Sequence, residues 1–394
     1  LQPGAGAQQR GRRPVRDGGA HGPGERVDDE AVVQHTLHID LEAVLGLGVQ
    51  RPVVVVLAGH RGELLRRRAV GVHVVAGLHR VHVEEEDAAR ASRRRRRGGQ
   101  EDIEPLYGQM HVLTALDRFG RNIDYDEDLA LNDAVTIRFI NAGHILGSAS
   151  VVVEATENET MRRIVFSGDL GSPGHAILSN ATLPPECDYV VMETTYGDRM
   201  HKDLDTSVVE FVDAVRDTIA RGGNVIIPTF AMERTQEILY HLKKAIESNE
   251  LPHSLTIFLD SPMAISATEI FRRHAQGFSD EVCNEMLAGK QPFNPRGLRF
   301  TRETADSMAI NRIRGGAVIM AGSGMCTGGR VRHHLKHNLW RPDCSVVFVG
   351  FAAQGTLARQ IVDGAKHVRI YGEDIQIKAE IYTINGFSAH ADQR

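Results

Sequence analysis

From residue 224 to residue 371, short apolar runs alternate with segments whose apolar residues recur every three or four positions, and no feature of the chain constrains its fold more. The runs 224–227, 255–259, 317–321, 345–349 and 367–371 predict strands, and 233–247, 265–275, 331–338 and 356–362 predict helices. Repeated strand–helix–strand alternation winds a parallel sheet with helices on both faces, because a helix that returns the chain to a parallel neighbour must cross over one face of the sheet. A further helix precedes these units. Ser207-Val208-Val209-Glu210 has the spacing of a capping box, and Val208, Val212, Val215 and Ile219 share one helical face before Gly222-Gly223 ends it.

Upstream, residues 135–196 hold four strand-like runs joined by short turns, the pattern of an antiparallel or mixed layer. Two Gly-rich turns follow β-branched runs there: Asn141-Ala142-Gly143-His144-Ile145-Leu146-Gly147-Ser148-Ala149 and Phe166-Ser167-Gly168-Asp169-Leu170-Gly171. Each presents one metal-binding side chain where a rigid strand hands over to a turn. Glu193 ends the run 189–192, and His390 follows the run 379–384 through Asn385-Gly386-Phe387-Ser388-Ala389. Two histidines, an aspartate and a glutamate at four strand ends suit a borderline metal, zinc above all, with a proton-transfer group beside it. A metal hydrolase is therefore the first expectation.

Other features exclude more than they assert. The longest early apolar run, residues 52–59, is far shorter than the roughly 20 residues of a spanning helix, so no membrane partner is expected. A formal charge of −5 on 394 residues names no partner by itself. Cys187, Cys283, Cys326 and Cys344 stand apart without a CxxC pair, as expected of reduced thiols in a cytoplasmic protein. Residues 1–81 lack Lys, Asn, Ser, Phe, Tyr, Trp, Cys and Met, the variety that fills a core, and are expected to be a disordered extension or a stretch translated out of frame. Within them only 51–57 reads as a strand, and His35 and His38 are the ligand-like pair. The charged stretch 84–97, ending in Arg93 to Arg97, reads as an exposed helix that could track phosphates. The glycine turn 322–330, with Arg330 at its end, could likewise cradle a phosphate at the start of a helix.

Taken in order, the segments Ala142-Gly143-His144-Ile145-Leu146-Gly147-Ser148-Ala149, Phe166-Ser167-Gly168-Asp169-Leu170-Gly171, Glu193-Thr194-Thr195-Tyr196-Gly197, Ile227-Pro228-Thr229-Phe230-Ala231, Leu259-Asp260-Ser261-Pro262-Met263-Ala264, 325–330 and Phe387-Ser388-Ala389-His390-Ala391-Asp392 resemble the β-CASP branch of the metallo-β-lactamase fold. That branch includes RNase J-like enzymes and the endonuclease of pre-mRNA 3′-end processing. The resemblance implies an α/β chain: an incomplete metallo-β-lactamase αββα sandwich with an inserted doubly wound, parallel-sheet β-CASP domain. The expected boundaries are 1–81 unassigned, 82–200 the first part of the sandwich, 201–365 the insertion, and 366–394 a return to the sandwich.

The resemblance further implies that His144 ligates zinc, that Asp169 bridges two zinc ions, and that Glu193 orients His390 as general acid, with Ser388 and Arg330 contacting substrate. The family's His-x-His-x-Asp-His motif is absent. The closest approach is His35-Thr36-Leu37-His38-Ile39-Asp40-Leu41, where Thr36 and Leu41 stand at histidine positions. The chain also stops at Arg394, before the later histidine of the family's second zinc, so it is expected to hold much less than two zinc ions. The expected function is a zinc-dependent phosphodiesterase acting on single-stranded RNA, with a catalytically silent RNA-binding or scaffolding subunit as the alternative. A small-ester hydrolase fits the fold but not the insertion. Oligomeric state is open, a homo-oligomer included, as is endo- versus exonuclease action.

Overall fold

The computed structural model describes residues 108–117 and 122–393, with three short strand pieces at His38–Ile39, Val53–Val54 and Val56–Leu57. The predicted helix over 84–97, its arginine run and His35 lie outside the described residues. Of the predicted strand 51–57, Val53–Val54 pairs with His38–Ile39 and Val56–Leu57 with Asn122–Ile123. Among the described residues no helix is long and apolar enough to cross a membrane.

After a short helix α1 (Gln109–Asp117), a five-stranded sheet forms from β1 (Asp128–Asn132), β2 (Val135–Asn141), β3 (Ala149–Glu157), β4 (Thr160–Phe166) and β5 (Tyr189–Val191), in that order. The first four are antiparallel neighbours, and β5 lies parallel to β4. Period-2 alternation explains its two faces: Val135, Ile137 and Phe139 pack with Val151 and Val153 on one, while Ile140, Val152 and Val165 pack on the other. This topology has a direct consequence for the site. Strands β2, β4 and β5 run in the same direction, so the turns that follow them emerge at one end of the sheet.

The second sheet is six-stranded and wholly parallel, ordered β8 (Leu298–Phe300), β7 (Thr256–Leu259), β9 (Ala317–Ala321), β6 (Val225–Pro228), β10 (Ser345–Phe348) and β13 (Glu380–Thr383). Both faces are covered, as such sheets require. Val225, Ile227, Ile257, Leu259, Val318 and Met320 face one core with α2 (Leu204–Ala220), α3 (Arg234–Glu247) and α4 (Pro262–Phe271). Ile226, Phe258, Ile319, Val346 and Phe348 face the other, with α7 (Val331–Asn338) and α8 (Leu357–Val362). The expected doubly wound sheet is thus present. Two further helices, α5 (Asp280–Leu287) and α6 (Thr304–Ile310), and the edge strand β8 escape the sequence pattern because they are too short to show a period.

Three local expectations change. Helix α2 starts three residues before the predicted cap, because Asp203 accepts the Thr206 N–H at 2.9 Å and takes the capping role from Ser207. Ser207 is instead buried, its hydroxyl donating to the Asp203 carbonyl. The run 367–371 does not join the parallel sheet; β11 (His367–Ile370) folds back on β12 (Glu373–Gln376) as a separate antiparallel hairpin. Strand β13 pairs in parallel with β10, so the chain leaves the second sheet only after Thr383, later than the expected boundary at 366.

Candidate active site

His144 sits in the turn between β2 and β3, and its local sequence explains its fixed place. Ser148 Oγ accepts the backbone N–H groups of both His144 and Ile145, and Ala142 N–H bonds to the Ser148 carbonyl, so the loop closes on itself. Asp169 leaves β4 through the second turn. Ser167 there accepts the Glu193 N–H at 3.0 Å and ties that turn to the end of β5. The two ligand turns touch at Gly171: a Cβ on it would lie 1.9 Å from the Gly143 carbonyl oxygen, so only glycine permits this approach.

His390 reaches the same end of the sheet from the opposite direction. After β13 a single turn, Asn385–Phe387, packs on the first turn of α2, where a Cβ at Gly386 would meet Ser207 Oγ at 2.1 Å. The backbone then pairs with the Asp169 turn: Ala391 N–H donates to the Leu170 carbonyl at 2.7 Å and Ser172 N–H to the Ala389 carbonyl at 3.1 Å.

The result is a cluster in which one ligand atom each from His144, Asp169 and His390 lies within 4.8 Å of the others. His144 Nε2 stands 3.8 Å from Asp169 Oδ2, and the two imidazole rings are 4.4 Å apart. Burial, and next the neighbouring His390, push the His144 pKa down to about 4, so the ring is neutral near pH 7. Its Nδ1 is buried and has no hydrogen-bond partner. A neutral imidazole beside a carboxylate is the form in which histidine ligates a metal. The donor set of two imidazoles and one carboxylate therefore fits a metal.

His390 Nδ1 lies 2.9 Å from Glu193 Oε2, the predicted pairing. Burial would raise the Glu193 carboxyl, but His390, Thr195 and the Leu170 N–H together hold it below the usual range. A carboxylate at Nδ1 leaves His390 Nε2 facing the cluster. Ser388 is buried beside it and shares a hydrogen bond with Tyr196, whose ring lies 6.2 Å from that of His390.

Arg330 is not in this group. Its guanidinium donates to Asp260 Oδ1 and to the Thr301 and Arg302 carbonyls, each at 2.8 Å, so the fork expected to reach a phosphate is spent inside the inserted domain. The sequence reading also missed His201, whose Nε2 lies 2.9 Å from the His390 carbonyl and whose N–H donates to Asp392, and a buried set formed by His175, Glu233, Arg234, Glu237 and His241. One signal was available. Glu233, Glu237 and His241 recur every fourth residue, a polar stripe on a helix whose outer faces are also covered.

Comparison with known proteins agrees with this architecture. Residues 235–361 match the Beta-Casp domain. The chain is 43% identical over 290 residues to Ribonuclease TTHA0252 of Thermus thermophilus, covering 74% of this chain and 65% of that protein. It is 30% identical over 307 residues to Transcription termination factor FttA of Pyrococcus horikoshii, covering 74% of this chain and 45% of that protein. An RNase J-like protein of Methanocaldococcus jannaschii is 30% identical over 276 residues, 68% of this chain and 61% of its own length. The chain thus spans less than two thirds of each relative. The Beta-Casp match lies on the doubly wound sheet, and the histidine and aspartate turns stand ahead of it at one end of the five-stranded sheet, so residues 235–361 carry the Beta-Casp domain.

Proposed function

We propose that the protein is a zinc-dependent phosphodiesterase that acts on single-stranded RNA in the cytoplasm. The observation that carries this reading is the convergence of His144, Asp169 and His390 from three separate chain segments, with Glu193 locked to His390. His144 and Asp169 would hold the metal, which when bound supplies a Lewis acid and a hydroxide at neutral pH. Asp169 brings the negative charge that such a cation needs. Glu193 fixes the His390 tautomer, so that Nε2 is the atom that delivers a proton to the leaving oxygen of the phosphodiester. Ser388 and Tyr196, hydrogen-bonded to each other beside His390, form the wall against which the strand would lie. The names of the relatives, a ribonuclease and a transcription termination factor, support RNA as the polymer.

The 4.8 Å clustering supports a second reading, in which His390 is the third protein donor to a single ion and therefore not the general acid, because a ring nitrogen that binds the ion carries no proton. Zinc titration of the chain followed by cleavage of short single-stranded RNAs tests both. Asp169→Asn should abolish hydrolysis, whereas Glu193→Gln should slow it about 10–100-fold through loosened orientation of His390. Equal single-turnover rates for the two variants would overturn these roles. RNA binding without cleavage in the zinc-loaded chain would favour the silent RNA-binding subunit.

A further inference from the structure

We propose that Glu237 and His175 are positioning residues for His390: a side-chain bridge from the inserted domain holds the Ala389 carbonyl and, with it, the backbone that carries His390. The inference rests on the reading of His390 as a working group of the site. Its geometry is independent of any bound ion.

The segment after β13 has no regular structure beyond one turn, so its course to the site is set by the few bonds made along the way. Two of the groups around the Ala389 carbonyl come from one loop, the connection between β4 and β5. Ser172 N–H donates to it at 3.1 Å, and His175 Nε2 lies 3.3 Å from it. A carbonyl only accepts, so Nε2 must carry the hydrogen. On the other side of the ring, His175 Nδ1 faces Glu237 Oε1 at 3.9 Å, with 6% and 0% of the two side chains exposed. Burial works against a charged imidazole, but Glu237 and Glu233 beside it outweigh that and hold the His175 pKa above its ordinary value.

Glu237 lies in the first turn of α3 and is itself paired with Arg234. The bridge therefore runs from the inserted domain, through a buried imidazole, to the residue next to His390. The ring is hydrogen-bonded at Nε2 and held at Nδ1 by a longer ion-pair contact with Glu237, and a small shift in a catalytic group's backbone is costly to its alignment.

Hydrogen–deuterium exchange on the full chain tests the bridge. His175→Leu should speed exchange at the Ala391 amide about tenfold, the order expected from losing one buried hydrogen bond. Exchange in β9, within the parallel sheet, should not change. His175→Gln, whose amide can donate where Nε2 did, should stay within about twofold of the wild type, and Glu237→Gln should fall between the two. If His175→Leu does not fold, the Glu237→Gln comparison decides alone. Zinc affinity should follow the same order, about tenfold weaker for His175→Leu and restored in His175→Gln. Unchanged exchange at Ala391, equal acceleration in the leucine and glutamine variants, or acceleration spread evenly over the parallel sheet would overturn the bridge. A wild-type chain that holds no more zinc than His144→Ala would overturn the metal reading instead, and the exchange result would still decide the bridge.

Discussion

Two carboxylates in the inserted domain are equally hidden from water, yet they are held in opposite states. Asp260, at the end of β7, is 0% exposed and is met by Thr301, Ser307, Arg330 and His334 at 2.6–2.8 Å. Burial alone would raise its pKa, but these partners, His334 and Ser307 foremost, bring it down to about 2. Glu233, just before α3, is 1% exposed, and neither of its carboxylate oxygens has a hydrogen-bond partner. Burial pushes it up to about 8, with only partial relief from His175. Burial is common to both, so the number of donors aimed at the carboxylate decides the sign. The satisfied cluster ties the end of β7 to Thr301 just after β8, to α6 and to α7. The unsatisfied one lies against the loops that carry His144 and His390, where a held proton and an ion pair sit side by side.

This contrast can be broken most forcefully at Asp260. Asp260→Ala leaves the buried His334 and the partly buried Arg330 without their carboxylate, and should cost about 3–5 kcal/mol of unfolding free energy in urea titration. A loss under about 1 kcal/mol would mean that the cluster is not held as a unit.

Glu233→Gln should act in the opposite direction, and increasingly as the pH rises above about 4.5. The folded-state pKa of about 8 lies above the ordinary 4.5, so the stability Glu233 contributes is complete below about pH 4.5 and is lost as the pH rises towards 8. The glutamine variant has no such slope. It should match the wild type near pH 4 and exceed it by about 2–4 kcal/mol at pH 9. A difference that does not depend on pH would show that Glu233 is not held protonated.

Arg330→Ala removes one of several donors and should cost about 1–3 kcal/mol. It also sharpens the reassignment of this residue. A side chain that contacts a phosphate would, when removed, flatten the dependence of log RNA affinity on log salt by about 0.7. A guanidinium already bonded within the inserted domain predicts a lower unfolding temperature with that slope unchanged. The smallest effect belongs to Ser307→Ala, about 1 kcal/mol, with the Asp260 pKa rising as one donor is lost. A loss as large as that of Asp260→Ala would point to repacking of α6 rather than to one hydrogen bond.

Much of the molecule is legible in its residues. The parallel sheet follows from apolar runs that are buried on both faces, and β6, β7, β9 and β10 fall where the runs stand. The pair formed by Glu193 and His390, 197 residues apart, is legible only through the order of the family's motifs, because no local spacing relates them. Elsewhere the same kind of reasoning misjudges partners. The run 367–371 has strand character, but character does not choose a neighbour, and Tyr371-Gly372, both at positive φ, turn it into a hairpin. Arg330 ends a glycine turn, which suggests an anion, but the spacing could not show that Asp260, 70 residues away, would claim its fork first.

By itself the sequence determined which residue types could ligate a metal, the strand-and-turn context of His144 and Asp169, and the two-faced period of the inserted sheet, because these depend on neighbours within a few positions. Tertiary structure alone decided that three like-directed strands would deliver their turns to one end, and that a segment leaving the second sheet would place a His390 atom within 4.8 Å of His144 and Asp169. It also decided which buried carboxylate would be satisfied and which would hold its proton. Those outcomes depend on long-range approach and on the count of donors in a desolvated space, and neither quantity is written in the local order of residues.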